Sequence, residues 1–233
     1  MNLYTKKLYI TNNDNILVDI NFTITSSTAL VGQSGSGKSL TLKSILQLIP
    51  SNLKSTFKYE SSFDLNHHNI GFIPQNPFTS LSPLTKIKDQ FFCNKEQQLH
   101  MIKLVNLDLD TLNKFPSQLS GGQLQRVVIA IVLSKTPKLL LLDEPTTALD
   151  KDTQQTILKL IKDLQNKLEF LILFVTHDIT SIKDICEDII ILKDGYIVES
   201  GKTSDVLQNS SNEYTNNLIK SSFNSREFRI WEY

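Results

Sequence analysis

The residues Gly32-Gln33-Ser34-Gly35-Ser36-Gly37-Lys38-Ser39 have the types and spacing that hold phosphate. They fit G-x-x-x-x-G-K-[ST], the phosphate-binding loop. Its glycines let backbone amides turn inward around phosphate oxygens. Lys38 is set to reach β- and γ-phosphates, and the Ser39 hydroxyl to ligate Mg²⁺.

A second set is acidic. Leu139 to Leu142 run directly into Asp143 and Glu144. Two adjacent carboxylates ending a buried strand are costly unless a cation pairs with them or a reaction uses them. Asp143 suits Mg²⁺ held through water. Glu144, turned the other way, suits a general base that polarises an attacking water. Gln75, between Pro74 and Pro77 at the end of an apolar run, either senses that Mg²⁺ and water or is a loop glutamine in solvent. His177 follows the apolar run Phe170 to Val175, where a histidine can donate to a γ-phosphate. Ser120-Gly121-Gly122 opens a third segment. Ser120 stands where an N-cap would, and the two glycines leave first-turn amides uncovered, a second helix end suited to an anion. Tyr9 either stacks on an adenine ring or packs as a strand aromatic. His67 and His68 read as a solvated pair on a loop, their side chains pointing apart.

These residues need elements to position them. Thr28 to Val31 reads as a buried strand before the glycine loop. Leu40, Leu42, Ile45, Leu46 and Ile49 repeat at helical spacing after it, up to Pro50. Ile16 to Ile24 alternates with period two, a half-buried strand, with Leu8 to Ile10 as its hairpin partner across Asn12 to Asn15. Ser51 to Asn69 is polar and irregular. Asn69 to Ile73 reads as another strand, and Ile87 to Leu112 as mostly helical. Leu124 to Val132 marks a helix that stops before Pro137. Four consecutive leucines from Leu139 suit a parallel strand covered on both faces. Thr146 to Asp150 reads as a turn, and Asp152 starts a helix carrying Ile157, Leu158, Ile161 and Leu164 on one face. Ile189 to Val198 reads as a hairpin around Asp194-Gly195. A polar helical tail follows from about Thr203 to Ser222, and Arg226 to Tyr233 reads as a segment docking on the body or on a partner.

Composition narrows the class. The chain has 233 residues, with 24 basic and 24 acidic side chains. That balance argues against a broad nucleic-acid-binding face. The longest apolar runs fall far short of the roughly 20 residues that span a bilayer. The N-terminus lacks the basic-then-apolar pattern of a signal peptide. Cys93 and Cys186 have no metal-ligand spacing and suit reduced thiols. The expectation is a cytosolic chain that meets a membrane through another protein.

In their order along the chain, the phosphate loop, Gln75, Leu119-Ser120-Gly121-Gly122-Gln123, Asp143-Glu144, Ala148-Leu149-Asp150 and His177 resemble the ATP-binding subunit of ABC transporters, over almost the whole chain. The resemblance implies an α/β fold. This is a P-loop NTPase (RecA-like) core with an N-terminal antiparallel β subdomain and an inserted α-helical subdomain. Residues 1–233 would form one ATPase domain, with about 80–135 as the helical subdomain and about 203–233 as C-terminal helix and tail. It implies ATP and Mg²⁺ as cofactors and a head-to-tail dimer with two ATPs in it. One subunit's phosphate loop would face the other's Ser120, Gly121, Gly122 and Gln123. Nucleotide contacts would come from Gly32, Gln33, Ser34, Gly35, Ser36, Gly37, Lys38, Ser39 and Leu40. Mg²⁺ would be held by Ser39, Gln75 and Asp143. By the same resemblance Glu144 would activate water, His177 would hold the γ-phosphate, and Asp150 would couple the two sites. The segment after Gln75 would receive a helix from a membrane subunit.

A finer match lies in Pro74 to Pro83 and Phe115 to Gly122, which look like the peptide and nickel importers. Glu213-Tyr214-Thr215 and Leu218-Ile219 are similar to that group's C-terminal helix. The chain's compactness is similar to the smaller of two unlike cassettes in a nickel import system. The expected partners are a second ATPase subunit, two membrane permeases and, indirectly, an extracytoplasmic solute-binding protein, with the chain peripheral on the cytoplasmic face of the cell membrane. Cargo would be nickel or a nickel or metal chelate, with oligopeptide or dipeptide as the alternative. A soluble cassette ATPase acting on DNA or ribosomes is the reading from another class. Against it, only 45 positions separate Gln75 from Ser120, too few for a long coiled coil, and there is one cassette rather than two.

Overall fold

The computed structural model describes residues 1–227. In chain order the strands and helices are β1 (Leu3–Asn12), β2 (Asn15–Ile24), β3 (Ser27–Val31), α1 (Lys38–Ile45), β4 (Lys54–Ser61), β5 (Ile70–Ile73), α2 (Lys95–Leu104), α3 (Gly121–Leu133), β6 (Leu139–Asp143), α4 (Lys151–Leu168), β7 (Leu171–Thr176), β8 (Asp188–Lys193), β9 (Tyr196–Lys202), α5 (Thr203–Asn209) and α6 (Glu213–Glu227). Short 3₁₀ turns fill much of residues 77–118 outside α2. The chain divides into two compact units, one of residues 1–63 with 172 onward, the other of residues 64–171.

In the first unit, β2, β1 and β4 form an antiparallel sheet in that order. Its buried side carries Leu3, Leu8 and Ile10 of β1 and Val18, Ile20, Phe22 and Ile24 of β2. The alternation in β2 is what one wet face and one dry face demand. β3 pairs in parallel with β7 on one side and β8 on the other, and β9 returns antiparallel on β8. Every residue of β3 is buried, and so is every residue of β7. Strands covered on both faces read as unbroken apolar runs for that reason.

In the second unit, β5 and β6 pair in parallel, Ile73 level with Leu142. Leu139 to Leu142 are each fully buried. Helix α3 packs against β5, α2 and α4. Its Val127 to Ala130 are buried all round, as a core helix requires. Leu141→Ala should lower stability by about 2–5 kcal/mol, the range for truncating a fully buried leucine. A urea titration of both proteins checks it.

The structure departs from the sequence reading in five places. The polar stretch after Ser51 contains β4, which pairs with β1 along its whole length. Its residues are mostly exposed, so no apolar alternation announces it. Helix α1 ends at Ile45 rather than near Pro50, because Gln47 takes φ 59° and the Leu48 amide closes back on the Lys43 carbonyl at 2.7 Å. Helix α4 begins at Lys151, with Asp150 rather than Lys151 outside it. The tail from Thr203 is two helices, broken at residues 210–212. His67 and His68 do not point apart. Their ring centroids lie 4.0 Å from each other. Asn66 Oδ1 accepts from the amides of His68 and Asn69, and this tight turn brings both rings to one side. Both histidines are exposed. The expectation for the segment ending at Tyr233 falls on residues 228–233, which lie outside the described residues.

Candidate functional site

The first unit carries the phosphate loop. Strand β3 ends at Val31, the loop turns through Gly32 to Gly37, and α1 begins at Lys38. Gly37 sits at φ 107°, a backbone that an L side chain rarely adopts, and no side chain caps α1. A helix start without a side-chain cap is suited to an outside anion. Gly32 has no room for a Cβ, which would strike the Leu192 carbonyl and the Ser36 hydroxyl. The Lys38 ammonium donates to the carbonyls of Gly32 (2.7 Å) and Gln33 (2.9 Å). It is thus folded over the loop rather than extended into solvent, and the residue is only 8% exposed. Ser39 is exposed, and Leu40 half-buried. His177 follows Thr176, which lies level with Val31 across the β3–β7 pair. The histidine and Gly32 therefore leave their parallel strands at the same level.

The second unit carries the carboxylates. Ile73 and Leu142 are level in the β5–β6 pair, so Gln75 and Glu144 follow at matching distances beyond the strand ends. The Gln75 amide donates from Nε2 to Glu144 Oε2 at 3.3 Å, and the Thr147 hydroxyl donates to the same oxygen at 3.1 Å. Glu144 has φ 46°. A left-handed backbone at a residue other than glycine costs on the order of 1–3 kcal/mol and is characteristic of functional sites. It turns Glu144 away from the line of the strand, while Asp143 remains its last residue. The turn after Glu144 is held by Gln154, whose amide nitrogen donates to the carbonyls of Thr146 (2.8 Å) and Leu149 (3.1 Å).

The same unit builds the second helix end. Ser120 caps α3, accepting from the Gln123 amide, while the Gln123 side chain accepts from the Ser120 amide. Such a reciprocal box satisfies two orphan donors at once. Gly121 lies beside Leu149, and a Cβ at Gly122 would crowd the Thr153 methyl at 2.6 Å. Thr153 belongs to the cap of α4, where its amide donates to Asp150 Oδ1 at 3.0 Å. That hydrogen bond holds the Asp150 carboxyl below the usual carboxylate range. The starts of α3 and α4 are therefore packed together, which ties Ser120 to Asp150 through Gly122 and Thr153.

Sequence-flagged residues thus gather in three groups: the loop with His177, Gln75 with Glu144, and Ser120 to Gln123 with Asp150. Tyr9 lies on β1 between Asp19 and Thr56, half-buried, with the Lys7 ammonium 5.0 Å from its ring centroid. Thr147 and Gln154 carried no signal in the sequence. A threonine and a glutamine near a turn are common, and only the geometry shows what they hold.

The loop fits a nucleotide triphosphate. Its helix start has no side-chain cap, Lys38 supplies the cation, and Ser36 Oγ is buried without a hydrogen-bond partner. A carboxylate at a strand end and the Ser39 hydroxyl are oxygen donors of the kind Mg²⁺ prefers. Among the described residues no cluster of three or more His, Cys, Asp or Glu is suited to hold a metal by itself. No helix there is long and apolar enough to cross a membrane.

Residues 17–147 match the family model described as ABC transporter. The chain is 35% identical over 221 residues to the oligopeptide transport ATP-binding protein OppD of Bacillus subtilis, covering 83% of this chain and 62% of that protein. It is 33% identical over 232 residues to the metal-staphylopine import system ATP-binding protein CntD of Staphylococcus aureus, covering 88% of this chain and 86% of that one. Among solved structures, cbiO1 of Clostridium perfringens, part of the ABC transporter complex cbiONQ, superposes with a TM-score of 0.77 at 24% identity, over 98% of this chain and 95% of that one. The chain has the ABC ATPase fold and belongs to the ABC transporter family.

Proposed function

We propose that this chain binds and hydrolyses ATP and that the hydrolysis drives import. The observation that carries the reading is the Gln75–Glu144 pair at the ends of β5 and β6. A carboxylate held by two donors and turned off its strand by a left-handed backbone is built to take a proton from water. Lys38, Ser36 and the amides of α1 hold the phosphates. His177 donates to the γ-phosphate. Ser39, Asp143 and Gln75 would hold Mg²⁺, which when bound neutralises charge on the phosphates. The adenine is assigned to Tyr9. Ser120 to Gln123 act on the nucleotide of a second cassette, and Asp150, packed through Thr153 against that helix end, couples the two.

We read residues 1–233 as one cassette, with about 80–135 as its helical part and about 203–233 as its C-terminal helix and tail. It would work with a second, unlike ATPase subunit, two permeases and a solute-binding protein outside the membrane, while lying peripherally on the cytoplasmic face. Names of relatives support import over a role on DNA or ribosomes. We assign the cargo as nickel or a metal chelate. The identity to a metal-staphylopine import protein supports that assignment. Peptide import is the second reading, favoured by the identity to an oligopeptide transport protein.

Uptake of labelled nickel and of a labelled dipeptide, measured in a strain lacking this chain, tests the cargo. Loss of nickel uptake with peptide uptake intact is expected. The opposite pattern moves the cargo to peptide, and normal uptake of both overturns the importer reading.

A further inference from the structure

The phosphate loop is held from outside by the C-terminal helix. The Tyr214 hydroxyl of α6 accepts from the Gln33 amide at 3.1 Å, across 181 positions of chain. Gln33 is the residue at which the loop leaves Gly32. Its carbonyl accepts from Lys38 Nζ at 2.9 Å and from the Ser36 amide at 3.2 Å. With the amide taken by Tyr214, both backbone polar groups of Gln33 have defined partners. The Gln33 N–H shares its peptide group with the Gly32 carbonyl, which accepts from Lys38 Nζ at 2.7 Å, and the orientation of that group sets where the following loop amides aim.

Tyr214 is itself held at its amide and at its ring. Its own amide donates to Asn212 Oδ1 at 2.9 Å, as does that of Thr215 at 3.3 Å. Asn212 is tied to β9 through the Val198 carbonyl, and Ser210 donates to Glu199 of β9 at 2.6 Å. The Lys193 ammonium lies 5.1 Å from the Tyr214 ring centroid. Lys193 precedes the Asp194-Gly195 turn, and Gly195 donates to the Ser36 carbonyl at 3.1 Å. The β8–β9 hairpin therefore touches the loop directly and steadies the tyrosine that touches it a second time.

We propose that Tyr214 is a positioning residue for nucleotide binding, acting through the Gln33 amide. This rests on the reading of the loop as an ATP site. The hydroxyl fixes the Gln33 peptide before nucleotide arrives, so less ordering is left to the binding step. Because coupling is reciprocal, whatever steadies the start of α6 also favours the nucleotide-ready loop.

Y214F tests it, since the ring and its contact with Lys193 remain and only the hydroxyl goes. Two readouts are needed on the full chain. Amide hydrogen exchange without nucleotide should quicken at Gln33 and stay unchanged at positions 214 and 215, whose acceptor is Asn212. KM for MgATP should rise about fivefold, the change expected for one neutral hydrogen bond, with kcat unaltered. Wild-type exchange at Gln33 together with a wild-type KM overturns the proposal. So does equal quickening at residues 33, 214 and 215, which would show the helix end itself coming loose. The exchange measurement needs no nucleotide. A wild-type chain that bound no MgATP would sink the ATP reading and leave the exchange result standing.

Discussion

Glu144→Gln is expected to bind MgATP and fail to turn it over. The wild-type carboxylate receives two hydrogen bonds on Oε2, from Gln75 and Thr147. A glutamine oxygen can accept both, so the strand end and its turn should keep their shape. The amide that replaces the other oxygen has no lone pair for a water proton. Loss of a general base costs about 10²- to 10⁴-fold in rate. Phosphate release measured at saturating MgATP reads the turnover, and a fluorescent nucleotide reads the binding. The arrested protein should also run on a sizing column as a species of two cassettes, because nucleotide is no longer consumed. Hydrolysis at the wild-type rate would remove Glu144 as the base.

The second large effect belongs to Lys38. Its ammonium holds the carbonyls of Gly32 and Gln33, so it organises the loop beside the charge it is proposed to offer to phosphate. Lys38→Ala removes one charge-assisted contact, and affinity for MgATP should fall by about 10- to 100-fold. Lys38→Arg should not restore it. The position is 8% exposed and built around a compact ammonium with two short acceptors, and a planar guanidinium has a different shape. Calorimetric titration of the three proteins checks both statements. Affinity within a few-fold of wild type for the alanine variant would move the phosphate contact elsewhere. Neither prediction depends on the cargo.

Much of this protein is written in local patterns. The phosphate loop, the cap at Ser120, the leucine strand before Asp143 and the Asp194-Gly195 hairpin each depend on neighbours within a few residues. Such features follow from φ restrictions at glycine, from capping chemistry and from the burial of short apolar runs. They stay legible because the residues that cause them are adjacent in sequence. Strand β4 shows the limit. Its side chains are mostly exposed, and its stability comes from backbone pairing with β1, which lies some fifty residues earlier. No composition signal records a pairing of main chains.

Contacts across long separations were decided by tertiary structure alone. Gln75 by itself reads as a loop residue in solvent. It gains a role from the register of β5 on β6, which brings it to Glu144 over 69 positions. Tyr214 meets Gln33 only because α6 is anchored to β9, next to the hairpin that packs on the loop. The adjacent histidines are exposed, as their polar surroundings imply, but the turn made by Asn66, not residue spacing, sets the direction of their rings. Sequence by itself therefore determined the types and local backbone of the groups proposed to carry the chemistry, since both are fixed by near neighbours. Only the packed structure decided which of those groups are held and by what, because register and helix anchoring arise between segments that are distant along the chain.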